Sequence, residues 1–303
     1  ASSEAVTLNG NVSGFQVIGN SVRDNNNVGI DVIGLETDIC PACSPAQNRA
    51  RNGLVRGNTV SGNSNATNPW YSGANGNAVG IYVDGGEFIV VERNSVTGND
   101  IGVEISSEAA SGTANDILVA SNLIYNNLDA GLVVGGFSPN ANAEGGGSVS
   151  NLQVVNNTLY RNDGWGTDIN LQYRVSASTF VNNIIYGANT QQTTLNEDGA
   201  PYTGLSWANN LWWADGAKDG VPAYDATAIS ANPDFAGAAS ANFRLNAGSP
   251  AEDAGADVND ITTWSDPFWS EIYAGGVING AGSADVYGSQ RLRVVLDVGA
   301  AEQ

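Results

Sequence analysis

Along the first two thirds of the chain, apolar residues recur in a fixed frame around asparagine. The segments "VIGNSVRDNN" (17–26), "VRGNTVSGNS" (55–64), "VERNSVTGND" (91–100), "VASNLIYNNL" (119–128), "VVNNTLYRND" (154–163) and "FVNNIIYGAN" (180–189) align without gaps, and "WANNLWWADG" (207–216) continues the series. Their first asparagines are Asn20, Asn58, Asn94, Asn122, Asn157, Asn183 and Asn210. Five positions on stand Asn25, Asn63, Asn99, Asn127 and Asn162, then Ala188 and Asp215. A second segment follows most copies: "GIDVIG" (29–34), "GIYVDG" (80–85), "GVEISS" (102–107), "GLVVGG" (131–136) and "DINLQY" (168–173). In it Ile30/Val32, Ile81/Val83, Val103/Ile105, Leu132/Val134 and Ile169/Leu171 alternate with variable residues, the period of two that marks a strand.

Short strands turned by Gly and Asn, once per coil, predict a parallel β-solenoid. Each coil buries its apolar positions against the next, about 4.8 Å away. Asparagine at a fixed corner bonds up the stack and satisfies backbone groups that the turns leave unpaired. The asparagine columns are therefore read as structural. Residues 1–260 are expected to form the solenoid, with irregular final coils over 191–260. Residues 261–303, ending in the strand-like "RLRVVLDVG", are expected to cap it as part of one cooperative body. Residues 1–34 already carry the repeat, so the solenoid is expected to extend upstream in a longer protein.

On these repeats, and on the closing stretches "ANPDFAGAASANFRLNAGSPAEDAGAD" (231–257) and "DVGAAE" (297–302), the sequence resembles the pectate-lyase-like superfamily of secreted bacterial proteins. The resemblance covers most of the chain. It implies an all-β fold, a right-handed parallel β-helix, in an extracellular bacterial protein. It does not choose an activity, because that superfamily includes polysaccharide lyases, glycoside hydrolases, epimerases and non-catalytic adhesins.

The insertions point to a binding face. Loops 35–52, 107–115 and 136–149 leave just after the second segment, and loop 64–78 enters just before it. The outward face of that strand column is then the floor of a loop-walled groove. With Ile81 and Val83 inward, Tyr82 and Asp84 face the groove. The same parity gives one outward column of Asp31, Tyr82, Glu104, Val133 and Asn170. The other holds Ile33, Asp84, Ser106, Gly135 and Gln172. Asp84, Glu104 and Asp31 are the candidate catalytic carboxylates. Tyr82, Glu108, Asn170, Gln172 and Arg174 are candidate substrate contacts, joined by Trp264 and Trp269, aromatics that either pack on the solenoid wall or stack on a sugar. Asp84 and Glu104 lie one coil apart and two residues out of register, so their Cα atoms should be roughly 8 Å apart. Carboxyl groups about 5 to 10 Å apart span both the retaining and the inverting glycosidase geometries. The plain alternative is solvated surface acid.

Charge narrows the partners. Eleven basic against thirty-one acidic residues leave a net charge of −20. Nucleic acid and anionic membrane surfaces are excluded, since phosphate binding needs a basic face. No apolar run reaches the roughly 18 residues of a membrane-spanning helix, so no membrane insertion is expected. The expected partner is a polysaccharide or oligosaccharide, and the chain is expected to act as a monomer. A lyase acting on a uronic acid polymer needs a Lys or Arg base, yet Lys218 lies outside the repeats and Arg51, Arg56, Arg93 and Arg174 fall away from the acids. A negative groove also repels a polyanion unless calcium bridges the two. Hydrolysis of a neutral or weakly charged glycan is therefore preferred. The alternatives are calcium-assisted elimination and a non-catalytic glycan-binding or structural β-helix. Calcium is the one cofactor that the carboxylate and asparagine oxygens suit. Cys40 and Cys43 offer too few ligands for structural zinc and no helix for a redox site. A small loop disulfide in an oxidising compartment is expected, with two reduced thiols as the alternative.

Overall fold

The structure is a computed structural model and describes residues 4–71, 76–162, 166–188, 194–200, 202–215, 221–256, 285–288 and 297–301. The chain winds as a right-handed parallel β-helix of three sheets. The first sheet stacks Val6–Leu8, Ile30–Ile33, Val79–Asp84, Ile101–Ser106, Ala130–Val134, Thr167–Leu171 and Leu195–Glu197. The second runs from Gln16–Ile18 to Ser206–Ala208, and the third from Ser21–Arg23 to Leu211–Ala214. Every pairing within these sheets is parallel, and the order follows the coils one by one. Among the described residues no helix is long and apolar enough to cross a membrane.

The period-two reading survives at each level. Ile30, Ile81, Val103, Leu132 and Ile169 stack in register, as do Val32, Val83, Ile105, Val134 and Leu171. All ten are sealed in one core with the inward residues of the other two sheets. Burial of this kind contributes roughly 25 cal/mol per Å² of apolar surface. Toward the C-terminal coils the core turns aromatic. Phe180 stacks parallel on Trp207 at 4.0 Å, and Trp207 meets Trp212 at 5.8 Å, which places both tryptophans in the core.

Both asparagine columns are continuous ladders. Asn20 donates to Asn58 Oδ1, Asn58 to Asn94, Asn94 to Asn122, Asn122 to Asn157, Asn157 to Asn183 and Asn183 to Asn210, through both the main-chain N–H and the side-chain amide. The second ladder runs Asn25, Asn63, Asn99, Asn127, Asn162 in the same sense. Each ladder ends on a carboxylate: Asp225 Oδ2 accepts from Asn210 at 2.9 Å, and Asp168 Oδ1 accepts from the Asn162 main chain at 2.9 Å. Asp215, the sequence-aligned continuation of the second column, instead lies outside, bonded to Tyr186 and ion-paired with Arg161.

The glycine that opens each second segment has a steric reason. Gly80, Gly102 and Gly131 stand in register, and a Cβ on Gly102 would meet Gly131 O at 2.5 Å and Asn127 Nδ2 at 2.8 Å. The column makes room for the second ladder. Asp168 takes the next place in it, so the same position that admits the asparagines closes their series.

Among the described residues the third sheet is followed to Ala214, and an isolated parallel bridge joins Leu211 to Ile229 beyond it. Phe235–Gly237 and Asn242–Leu245 then fold back as an antiparallel pair. They cover the outer face of the third sheet, where Phe243 packs against Tyr125 and Tyr160. Of the expected cap, residues 297–301 reach the same face: Gly299 donates to Asn182 O and Ala300 to Thr158 Oγ1. The expected last strand (291–299) falls largely outside the described residues.

Candidate functional site

The outer face of the first sheet is the floor of a groove enclosing a cavity of about 390 Å³. The loop after Ile30–Ile33 supplies Glu36 to one wall, and the loops after Ile101–Ser106 and Ala130–Val134 supply Glu108 and Phe137. The loop before Val79–Asp84 supplies Asn65, Tyr71 and Asn77 to the other. This is the walled groove that the loop positions predict. Asp100 fixes the second wall, its Oδ2 accepting the N–H groups of Asn65 and Ala78.

Strand pairing places the predicted residues as their spacing requires. Asp31 lies opposite Tyr82, Tyr82 opposite Glu104, Glu104 opposite Val133 and Val133 opposite Asn170. Asp84 lies between Ile33 and Ser106, two residues out of step with Glu104. All three candidate catalytic acids line the cavity, with Tyr82, Glu108 and Gln172.

Burial departs from expectation. Facing outward predicts solvated acids, yet Asp31, Asp84 and Glu104 retain only 5–7% of their exposure. The walls and a small apolar cluster of Val28, Val79, Tyr82, Ile101, Ala130 and Val133 shield them. The plain reading of these acids as solvated surface therefore fails. Burial, ahead of repulsion from Glu108, pushes Asp84 up to about 8 against the pull of an N–H donor. Burial likewise pushes Glu104 up to about 8, helped by the charges of Glu108 and Asp84. Asp31 is held well above the carboxylate range by burial first and Asp84 second. Apart from that N–H bond to Asp84, each of these causes disfavours the ionised form.

The bonds within the site are few. Glu108 N donates to Asp84 Oδ1 at 2.7 Å, and the Tyr82 hydroxyl donates to Glu108 Oε1 at 3.3 Å. Asp31 Oδ1 and Gln172 Oε1 are buried and have no hydrogen-bond partner among the described residues. Among the described residues no lysine or arginine lines the cavity. Among the described residues, no group of three Asp, Glu, Cys or His side chains is placed to hold one metal ion; the acids are spread along the floor.

Two expected contacts lie elsewhere. Arg174 does not reach the groove: Nε donates to Gly147 O at 2.9 Å, and Nη2 and Nη1 donate to Ser138 O and Pro139 O at 2.5 and 3.3 Å. Its backbone sits at φ 60, which turns the side chain onto the 135–147 loop. Asn170 accepts from Asn196 in the next coil and extends the floor beyond the cavity. Trp264 and Trp269 lie outside the described residues, as does Lys218. Cys40 and Cys43 form the expected disulfide. Arg56 and Arg93 pair with Glu92, and Arg51 bonds the carbonyls of Gln47 and Arg49.

Among the lining residues without a counterpart in the predicted set are Glu36, Tyr71, Asp129 and Phe137. Asp129 precedes the "GLVVGG" glycine by two positions and carried a readable signal; the other three sit in loops without periodicity. Replacing Arg174 by Ala should free the 135–147 wall while leaving the coils intact. The expected cost is about 1–2 kcal/mol in a melt, with faster protease cleavage confined to that loop as the check.

No protein-family model matches the chain. The uncharacterized protein YwoF of Bacillus subtilis (strain 168) is 36% identical over 273 residues, covering 82% of this chain. The chain spans 55% of that relative's length. Among solved structures it is similar to pectate lyase Pel9A, at 17% identity and TM-score 0.45 over 99% of this chain and 69% of that one. It is also similar to a mutant of the periplasmic alginate epimerase AlgG, at 12% identity and TM-score 0.41 over 70% and 51%. By its own sheets, register and ladders, the chain is a right-handed parallel β-helix, the fold of the pectate-lyase-like superfamily that its sequence resembles.

Proposed function

We propose that the groove binds a glycan and cleaves a glycosidic bond, with Glu104 as general acid and Asp84 as general base. One observation carries this reading: two carboxyl groups on successive coils are buried in an open groove with no cationic partner among the described residues. Such a pair holds a proton at neutral pH, as a catalytic acid requires. The bonds support this division of roles. Asp84 receives an N–H from Glu108, which favours its ionised form, whereas burial and two neighbouring charges favour protonated Glu104. Glu104 would give its proton to the glycosidic oxygen as the bond to the anomeric carbon breaks. Water would add to that carbon and pass a proton to Asp84, and exchange with solvent would restore both groups.

That no described residue of the groove is basic weighs against elimination on a uronic acid polymer, which needs a base and charge neutralisation. The Cys40–Cys43 disulfide fits an extracytoplasmic setting. Incubation with a panel of oligosaccharides should produce new reducing ends. Unsaturated uronate absorbing in the ultraviolet would instead establish a lyase, and no product across the panel would leave a binding protein. The interacting pair should give a bell-shaped rate profile centred near pH 8, the value to which both groups are raised. A profile centred at about pH 4–5, as for unperturbed carboxylates, would reject the pair.

A further inference from the structure

We infer that the glycan this groove takes is an amino sugar chain, whose protonated amine seats against Asp31 between aromatic walls. The inference rests on the proposed glycan-binding role and names the substrate class. Glu4, Asp31, Glu36, Asp84, Glu104, Glu108 and Asp129 line one cavity, with no arginine or lysine among the described residues. A neutral sugar leaves that negative potential uncompensated, and a uronic acid worsens it. Asp31 is the deepest point of the imbalance: it is 5% exposed, and its Oδ1 has no hydrogen-bond partner among the described residues while lining the cavity. A buried acceptor of this kind calls for a donor from the ligand. An ammonium brings three donors and a charge together. A bare metal ion suits the groove less well, since no three of its acids converge on one point among the described residues.

The walls supply the rest of the recognition. Tyr71 on one side and Phe137 on the other line the cavity at 41% and 47% exposure, and Trp70 beside Tyr71 is 79% exposed. Aromatic side chains so open to water offer faces to a flat apolar body, and they also attract cations. Rings for a pyranose face and carboxylates for an amine together describe an amino sugar rather than a simple polyamine. The raised affinity for protons at Asp31, Asp84 and Glu104 agrees, because an arriving cation should displace a proton from the cluster.

The test is calorimetric binding to the intact chain at pH 6.5, low salt and with chelator. The ligands are a glucosamine tetramer, an N-acetylglucosamine tetramer and tetralysine. The glucosamine tetramer should bind at least tenfold more tightly than either of the others, and titration in two buffers of different ionisation heat should show proton release. Asp31→Asn should reduce the preference over the acetylated tetramer to within about threefold. Glu36→Gln at the rim, where folding is not at stake, should weaken it partially. Equal binding of the two tetramers overturns the inference, and so does tetralysine binding as tightly as glucosamine. Cleavage without amine preference would sink this inference and leave hydrolysis standing; amine preference without cleavage would do the reverse.

Discussion

Glu104→Gln should lose at least a thousandfold in sugar release and yet unfold at a higher temperature than the parent chain at pH 8.5. The loss follows from removing the proton donor while keeping the shape. The gain follows from linkage. The folded-state value of Glu104 is raised from 4.5 to about 8 by burial and by Glu108 and Asp84. Between those values the folded chain binds more protons than the unfolded one, so stability falls as pH rises through the window and is lowest above it. An amide carries no such penalty. The variant should gain about 2–4 kcal/mol at pH 8.5, from roughly 1.4 kcal/mol per pKa unit, and should lose that advantage by pH 4. Melts at both pH values, with reducing-end release measured in parallel, check it. Retained activity would remove Glu104 from the chemistry; a variant no more stable at pH 8.5 would show that the carboxyl is not held protonated. This is the trade between function and stability expected of an active site.

Asn122→Ala should be the most damaging single change in the ladders. Asn122 donates to Val91 O and Asn157 Oδ1, and its own Oδ1 accepts two bonds from Asn94. The side chain is fully buried, so truncation strands Asn94 N, one Asn94 amide hydrogen and Val91 O away from water. Unsatisfied buried groups cost about 1–3 kcal/mol each, and with the small cavity the expected loss is about 3–5 kcal/mol. Asn122→Asp keeps the acceptor but loses the donors, and should cost nearly as much. Urea titration reads both; a loss under about 1 kcal/mol would mean that the sheets alone hold the coils together.

What the sequence reveals of this protein follows its periodicity. The ladders are legible because asparagine must recur at one corner of every coil, and the outward columns are legible because the side-chain period in a strand is two. The two-residue offset between Asp84 and Glu104 is therefore already visible from spacing. Their burial is not, since it depends on how far the loops that carry Glu36, Asn65 and Glu108 fold over the sheet. Tyr71 and Phe137 sit in such loops, without a repeat to place them. Arg174 misleads for another reason: its position follows the strand, but a positive φ swings it away. The 235–245 hairpin is likewise hidden, because "DFAGAASANFRL" carries apolar residues that serve an outer sheet face as well as an inner one.

Both asparagine series run one way, each amide handing its hydrogen toward the C-terminal neighbour, and both stop at an aspartate. A carboxylate takes such a hydrogen but has none to pass on. The stack is thus a directional chain with a terminator: new units can be spliced in ahead of Asp168 or Asp225, each arriving with a receptor and an offer, whereas nothing can be appended to that row beyond them. Length, in this architecture, is written by where an amide is exchanged for an acid.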